Sequence, residues 1–196
     1  MSWNEITLNQ FEALQSALKI EDETERLISI SEIVFGENVT ELPIGEYTKK
    51  VKELSFLQID VPNDCKVKGV SVNGRDYDIL GLLGNISTAQ YIDYTNHMKE
   101  GKTANMLSVF FVPKGHKYND GYDMLQVISD IGCMPITIVN STAFFFTRQL
   151  ELFMRIFQSS LKKQIRKMKL PKEQKQLLMD GLQHLESYPI FSSLLK

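Results

Sequence analysis

Residues 66–79 read KVKGVSVNGRDYDI, and this stretch decides what the rest of the chain must build around it. Apolar Val67, Val70 and Val72 are set among polar residues in the alternation of a half-buried strand. Asn73-Gly74 is the favoured pair for a two-residue hairpin turn, and Tyr77 and Ile79 continue the return strand. A lone two-stranded hairpin is marginal in water, so this one needs helices to lie against.

Helical signals flank it on both sides. Upstream, Thr7 and Gln10 make a T-x-x-Q capping pattern ahead of Leu8, Phe11, Leu14 and Leu18 at helical spacing. A second helix is expected over 23–35, with Leu27, Ile28, Ile30, Ile33 and Val34 on a broad apolar face and Gly36 as its stop. A third follows Pro43 and carries Tyr47, Val51, Leu54 and Leu57.

Downstream, Ser87 or Thr88 caps a helix through Tyr91, Ile92, Tyr94, Thr95 and Met98 to Gly101. Residues 106–112 are an apolar run without a readable period; the expectation is a helix ended by Pro113, with a strand as the close second choice for the same run. Residues 114–122 read as an exposed loop and 124–131 as a short helix. The longest element is expected from about Ser141 to Met168, and a last helix from 172 to 187 after Pro171. The predicted class is α+β, mostly α-helical: a helical bundle with one short β-hairpin packed against it. It forms a single domain or two lobes, an acidic helical part over 1–60 and the hairpin with the remaining helices over 61–196.

Composition narrows the function. The 196 residues are 43% hydrophobic and 23% charged, with a net charge of −2, the ordinary mixture of a soluble globular protein. That balance gives no global electrostatic reason to expect nucleic acid or an anionic membrane as partner. Cys65 and Cys133 stand far apart, which excludes a zinc ribbon or a disulfide framework; both are expected as buried or half-buried thiols. The first residues, MSWNEITL, lack the apolar core of a signal peptide, so an intracellular protein is expected. Residues 131–147 carry no charge, but the run is short for a membrane helix and contains Gly132, Pro135, Asn140, Ser141 and Thr142, so a buried turn leading into a core helix fits better.

Charge is unevenly spread. Residues 1–64 hold thirteen acids and five bases, whereas 144–175 hold nine bases and two acids. Such asymmetry marks either distinct partner surfaces or two regions that neutralise each other.

Catalytic constellations are missing. His97, His116 and His184 share no metal-ligand spacing and are expected as solvated surface residues. Residues 81–85, GLLGN, lack the lysine and spacing of a phosphate loop, and no G-x-S-x-G elbow occurs. Asp76 and Asp78 share a strand face with no second catalytic element beside them. The expectation is a non-enzymatic protein without catalytic residues, cofactor or metal.

The feature that stands out is aromatic. Phe146, Leu150, Phe153, Phe157 and Leu161 recur at helical spacing, Phe144, Phe145, Leu152 and Ile156 add apolar surface on neighbouring angles, and Arg148, Arg155, Lys162 and Arg166 form a separate basic stripe. This helix is either a central core helix or one whose aromatic face docks a partner's helix. In the docking case the binding residues are Phe145, Phe146, Leu150, Phe153 and Phe157, with Arg148 and Arg155 beside them. The basic continuation to Lys175 has no interleaved aromatics to stack on bases, so a solvated surface explains it more simply than nucleic acid. Leu177, Leu178, Leu182 and Leu185 make the last helix amphipathic and suited to self-association.

The order of these signals carries a resemblance. A T-x-x-Q-F helix leads to ISISEI over 28–33; the hairpin ends in Tyr77-Asp78-Ile79; NISTAQYIDY follows over 85–94; then come a hydrophobic run into Pro113-Lys114-Gly115, a tyrosine-containing loop and the Phe144-Phe145-Phe146 helix. Over most of its length the chain resembles small proteins of tailed bacteriophages, particularly tail assembly chaperones and related virion proteins. The resemblance implies a protein that binds phage tail or virion proteins in the host cytoplasm, shielding the helical tape-measure protein while the tail tube forms. A homo-oligomer is expected besides, from the basic and amphipathic C-terminal helices that depart from the family's pattern. The resemblance assigns no residue a role. The alternative it leaves open is a structural virion component: a head–tail connector, ring or tail subunit.

Overall fold

The computed structural model describes residues 1–63, 69–79 and 86–186; at 147, 150–155, 157–158 and 181–186 it describes the backbone alone. The fold is α+β and mostly helical, with one small antiparallel sheet. The described residues divide into two compact units, one up to Phe144 and one beginning at Phe145.

The first unit opens with helices α1 (Leu8–Ala17), α2 (Glu23–Phe35) and α3 (Ile44–Glu53), the last running into a 3-10 turn over Leu54–Gln58. Thr7 and Gln10 close a reciprocal capping box, each side chain accepting from the other's backbone N–H at 3.2 and 3.0 Å. Asp22 caps α2 by accepting from the Glu25 N–H, and Gly36, at φ 69°, ends it in the left-handed conformation that a side chain would disfavour.

Strands β1 (Gly69–Val72) and β2 (Arg75–Ile79) form the hairpin, with Val72 opposite Arg75. Asn73 and Gly74 both take positive φ, 50° and 74°, the geometry of a tight primed turn whose twist suits the strands. Helices α4 (Thr88–Glu100) and α5 (Thr103–Ser108) follow. Ser87 and Gln90 repeat the capping box at the start of α4.

The run 106–112 departs from expectation. Its helix stops at Ser108, and Phe111–Pro113 form β3, which pairs with β2 so that Tyr77 faces Pro113 and Ile79 faces Phe111. The hairpin is therefore two strands of a three-stranded sheet, and Pro113 lies on an edge strand, where its missing N–H is tolerated. The run has no period because all of it, from Met106 through Val112, is buried.

Helix α6 (Met124–Gly132) is followed by α7 (Ile136–Lys167), which begins in the first unit and continues into the second. α7 starts about a turn and a half before the expected Ser141. Pro135 opens it, its carbonyl accepting from Ile138 and Val139 at 3.0 and 3.2 Å. The polar residues that look like a start are absorbed: the Thr142 hydroxyl donates to the Ile138 carbonyl, and the Asn140 amide to the carbonyls of Val61 and Pro62.

The N-terminal segment is tied to this region, which is why the division falls after Phe144 and not near residue 60. Leu8 N–H donates to Met134 O at 3.0 Å, Ile136 N–H to Ile6 O at 2.7 Å, and the Thr137 hydroxyl to Asn4 Oδ1 at 2.7 Å. Trp3 adds an indole hydrogen bond to Ile59 O and edge contacts with Phe11 and Phe56. Ile6, Leu107, Val109, Phe110, Phe111, Ile131 and Met134 have no solvent exposure and form the core these links enclose.

In the second unit α7 is joined to α8 (Lys172–Glu186) by a short turn. Lys175 Nζ donates to Arg166 O at 3.1 Å across it.

Candidate functional site

The most organised polar cluster of the first unit surrounds Asp130, a carboxylate on α6 with no solvent exposure. Arg75 reaches it in two-pronged fashion, Nε to Oδ2 at 2.7 Å and Nη2 to Oδ1 at 3.1 Å. The Tyr77 hydroxyl donates to Oδ2 at 2.5 Å, and the Asn73 and Gln126 amides to Oδ1 at 2.9 and 3.2 Å. The Arg75 hydrogen bond, joined by those from Tyr77, Asn73 and Gln126, holds the Asp130 carboxyl far below the usual range against the opposing cost of burial. Arg75 is raised by the same contact, and Tyr77 is pushed up to about 12, first by burial and then by Asp130. Five donors occupy the two oxygens. The arrangement is a brace that fastens the hairpin to α6, with no lone pair aimed at a substrate.

A second tie holds the loop after β3. Tyr118 donates to Asp93 Oδ2 at 2.7 Å, and burial followed by this bond pushes its phenol well above the ordinary range. Asp76 and Asp78 lie on the exposed face of β2 as expected, with Lys114 Nζ 3.9 Å from Asp76.

Two expectations need correcting here, those for Cys133 and His97. Cys133 is an exposed thiol, because it follows α6 in the turn to α7 and faces away from the core. Cys65 falls outside the described residues. His97 is half-buried on α4, its Nδ1 3.8 Å from Glu100, whereas His116 is exposed beside Asp120. The backbone of His184 lies in α8. Among the described residues no group of His, Cys, Asp or Glu could hold a metal ion.

The aromatic run on α7 splits by burial. Phe145 is 40% exposed and Phe144 is similar, but Phe146 is only 2% exposed and packs edge-on against the Phe145 ring at 5.4 Å. Phe146 therefore belongs to the packed interior and not to an open docking face, a correction that follows from the 100° rotation between successive helical residues. Arg148 is exposed. Leu150, Phe153, Arg155 and Phe157 lie in α7 with side chains outside the described residues. Ile156 is 60% exposed, at the rim of a hollow of about 350 Å3 shared with Ser159, Ser160 and Lys163. Leu177, on α8, is 74% exposed.

Sequence reasoning missed the Asp130 brace. Its one signal was an acid inside the apolar run of α6, MLQVISDIG, where a charge needs a partner. No described helix is long and apolar enough to cross a membrane. In comparisons with protein families, curated proteins and solved structures, nothing matches the chain.

Proposed function

We propose that this protein works by binding other proteins, without catalysis, and that it serves as a phage tail assembly chaperone in the host cytoplasm. The observation that carries the binding reading is the large apolar side chains left in solvent on the second unit, Phe145, Ile156 and Leu177 foremost. An exposed apolar helical surface is suited to a partner helix whose own apolar stripe needs cover during assembly. The order of sequence signals shared with tail assembly chaperones supplies the particular partner, a long helical tape-measure protein.

The test is light scattering on the protein alone and co-expressed with the products of its neighbouring reading frames, one of them a long helical protein. A chaperone forms a complex that contains that partner and exceeds whatever the protein forms alone, and Phe145→Asp with Ile156→Asp removes it while leaving the helical signal intact. A mass that no co-expressed partner increases overturns the reading. Mass spectrometry of purified particles separates the virion-component alternative, because a chaperone is absent from them.

A further inference from the structure

The turn between α7 and α8 joins basic charge to exposed apolar side chains. Residues 162–172 hold six bases and no acid. Lys163, Arg166, Lys167, Lys169 and Lys172 are all exposed, and Met168, 45% exposed, lies among them with Leu170. Arg166 and Lys167 at the end of α7 suit the helix dipole. Lys169 and Lys172 do not, since they stand before and at the start of α8, where positive charge is disfavoured. Local helix energetics therefore leave that charge unexplained.

The same chain carries an opposed surface. The turn from α1 to α2 and the first turn of α2 read KIEDETE over 19–25, with Glu21, Asp22, Glu23 and Glu25 exposed against one exposed base, Lys19. It too displays leucines, Leu18 at 55% exposure and Leu27 on the first turns of α2. Arg26, the next base, is drawn back to the Ile20 carbonyl at 3.0 Å. Both regions combine a clear excess of one sign of charge with uncovered apolar side chains, and the signs are opposite, Lys19 and Glu173 being the one exposed residue of the minority sign in each.

We propose that the basic α7–α8 turn docks on the acidic α1–α2 turn of a second copy of this chain. The contact is heterologous, so it repeats head to tail and ends in a closed ring or an open string of copies. Leucine and methionine side chains supply the apolar centre, and the charged rim sets register and speeds encounter. The charge complementarity selects this occupant, because a polyanion such as nucleic acid or an acidic membrane would leave the acidic, leucine-bearing turn without a role. The inference does not depend on the Phe145 surface or on any other protein.

Sedimentation velocity of the full chain alone, over a concentration series at about 50 and about 500 mM salt, tests it. The expected result is a mass that grows with concentration at low salt and falls toward the monomer at high salt. Lys167→Glu with Lys169→Glu weakens association about tenfold or more, as does Glu21→Lys with Glu23→Lys. Combining the four substitutions restores it, since the signs are then exchanged. A monomer at low salt overturns the proposal, as does association that ignores either reversal or a four-fold variant that fails to recover. So does a monomer that instead binds a duplex oligonucleotide, or vesicles of equal phosphatidylcholine and phosphatidylserine, through Lys167 and Lys169. None of these outcomes touches Phe145 or Ile156, so they leave the partner-binding reading to its own test.

Discussion

Arg75 Nε lies 2.7 Å from Asp130 Oδ2, joining residues 55 positions apart, and the two ends of the contact sit in different surroundings. The Asp130 side chain is fully buried, while that of Arg75 is 46% exposed. The carboxylate therefore bears the desolvation, and four side chains, from the hairpin turn, β2 and α6, exist in this arrangement to offset it.

Removing the charge should be costly. Asp130→Asn replaces an acceptor-only group by one with two donors facing Arg75, Tyr77 and Asn73, leaving buried donors unmatched. A loss of about 3 kcal/mol is expected. Trp3, the single tryptophan, packs on Phe11 and Phe56 in the first unit, so its fluorescence through a urea titration reports the change. A shift below about 1 kcal/mol would mean that the brace is ornamental.

The brace also sets the pH dependence. Folding depresses the Asp130 carboxyl, so its contribution is present above the unfolded pKa of about 3.9 and is lost as pH falls from there toward the folded value. Tyr77 behaves in the opposite sense. Its folded pKa, about 12, exceeds the free phenol's, so that contribution is full below about pH 10 and disappears as pH rises through 12. Urea midpoints near pH 7, 3 and 11 should trace both limbs, and in Asp130→Asn the acid limb should flatten. An unchanged acid limb in that variant contradicts the assignment.

At the hairpin turn, Gly74 holds φ 74° with nothing within 4 Å of the place a Cβ would occupy. Gly74→Ala therefore meets no clash, and its cost of about 1 kcal/mol is that of a left-handed backbone alone. Asn73→Ala should cost more, because it also removes the amide donated to Asp130 at 2.9 Å. Equal losses in the two variants, measured by the same titration, would show that the Asn73–Asp130 bond adds nothing.

Gln90 is the buried joint of α4. Its Oε1 accepts from Ser87 N–H at 2.8 Å and its Nε2 donates to Val109 O at 3.1 Å. Gln90→Glu keeps the first bond and turns the second into a carboxylate against a carbonyl, at an expected cost of about 2 kcal/mol. Ser87→Ala, which loses only the cap, should cost about 1 kcal/mol. Thermal melts of the two variants rank them, and the reverse order would place the cap above the buried joint.

Elements were legible wherever a local rule governed them. Thr7 with Gln10, Ser87, Gly36 and Asn73-Gly74 each announced their structure, because capping and tight turns depend on neighbours within four residues. The third strand was legible only as the second choice for its run, since burial of all of 106–112 erases the alternation that marks a strand. The start of α7 was not legible, where Asn140 and Thr142 bond to carbonyls that only the folded chain brings near or aligns. The Asp130 brace depends on pairing at a distance of 55 residues, which no local pattern encodes. On the aromatic helix the sequence gives spacing, and spacing alone does not say which of Phe145 and Phe146 faces inward.

That last distinction is the sharpest test of the binding surface. Phe146 is buried, so Phe146→Asp places a charge out of water, after removing a ring whose loss alone costs about 3 to 5 kcal/mol. The second unit should then lose much of its helical signal, with any binding lost only as a consequence. Phe145→Asp puts the charge partly in solvent and removes a ring already 40% exposed. Its circular dichroism melt should stay within about 1 kcal/mol of the parent while complex formation with the helical partner fails. Loss of structure in both variants would make Phe145 a packing residue and leave the proposed docking surface without its leading side chain. A folded Phe145→Asp that still binds would move the contact elsewhere on the second unit, toward Ile156 and Leu177.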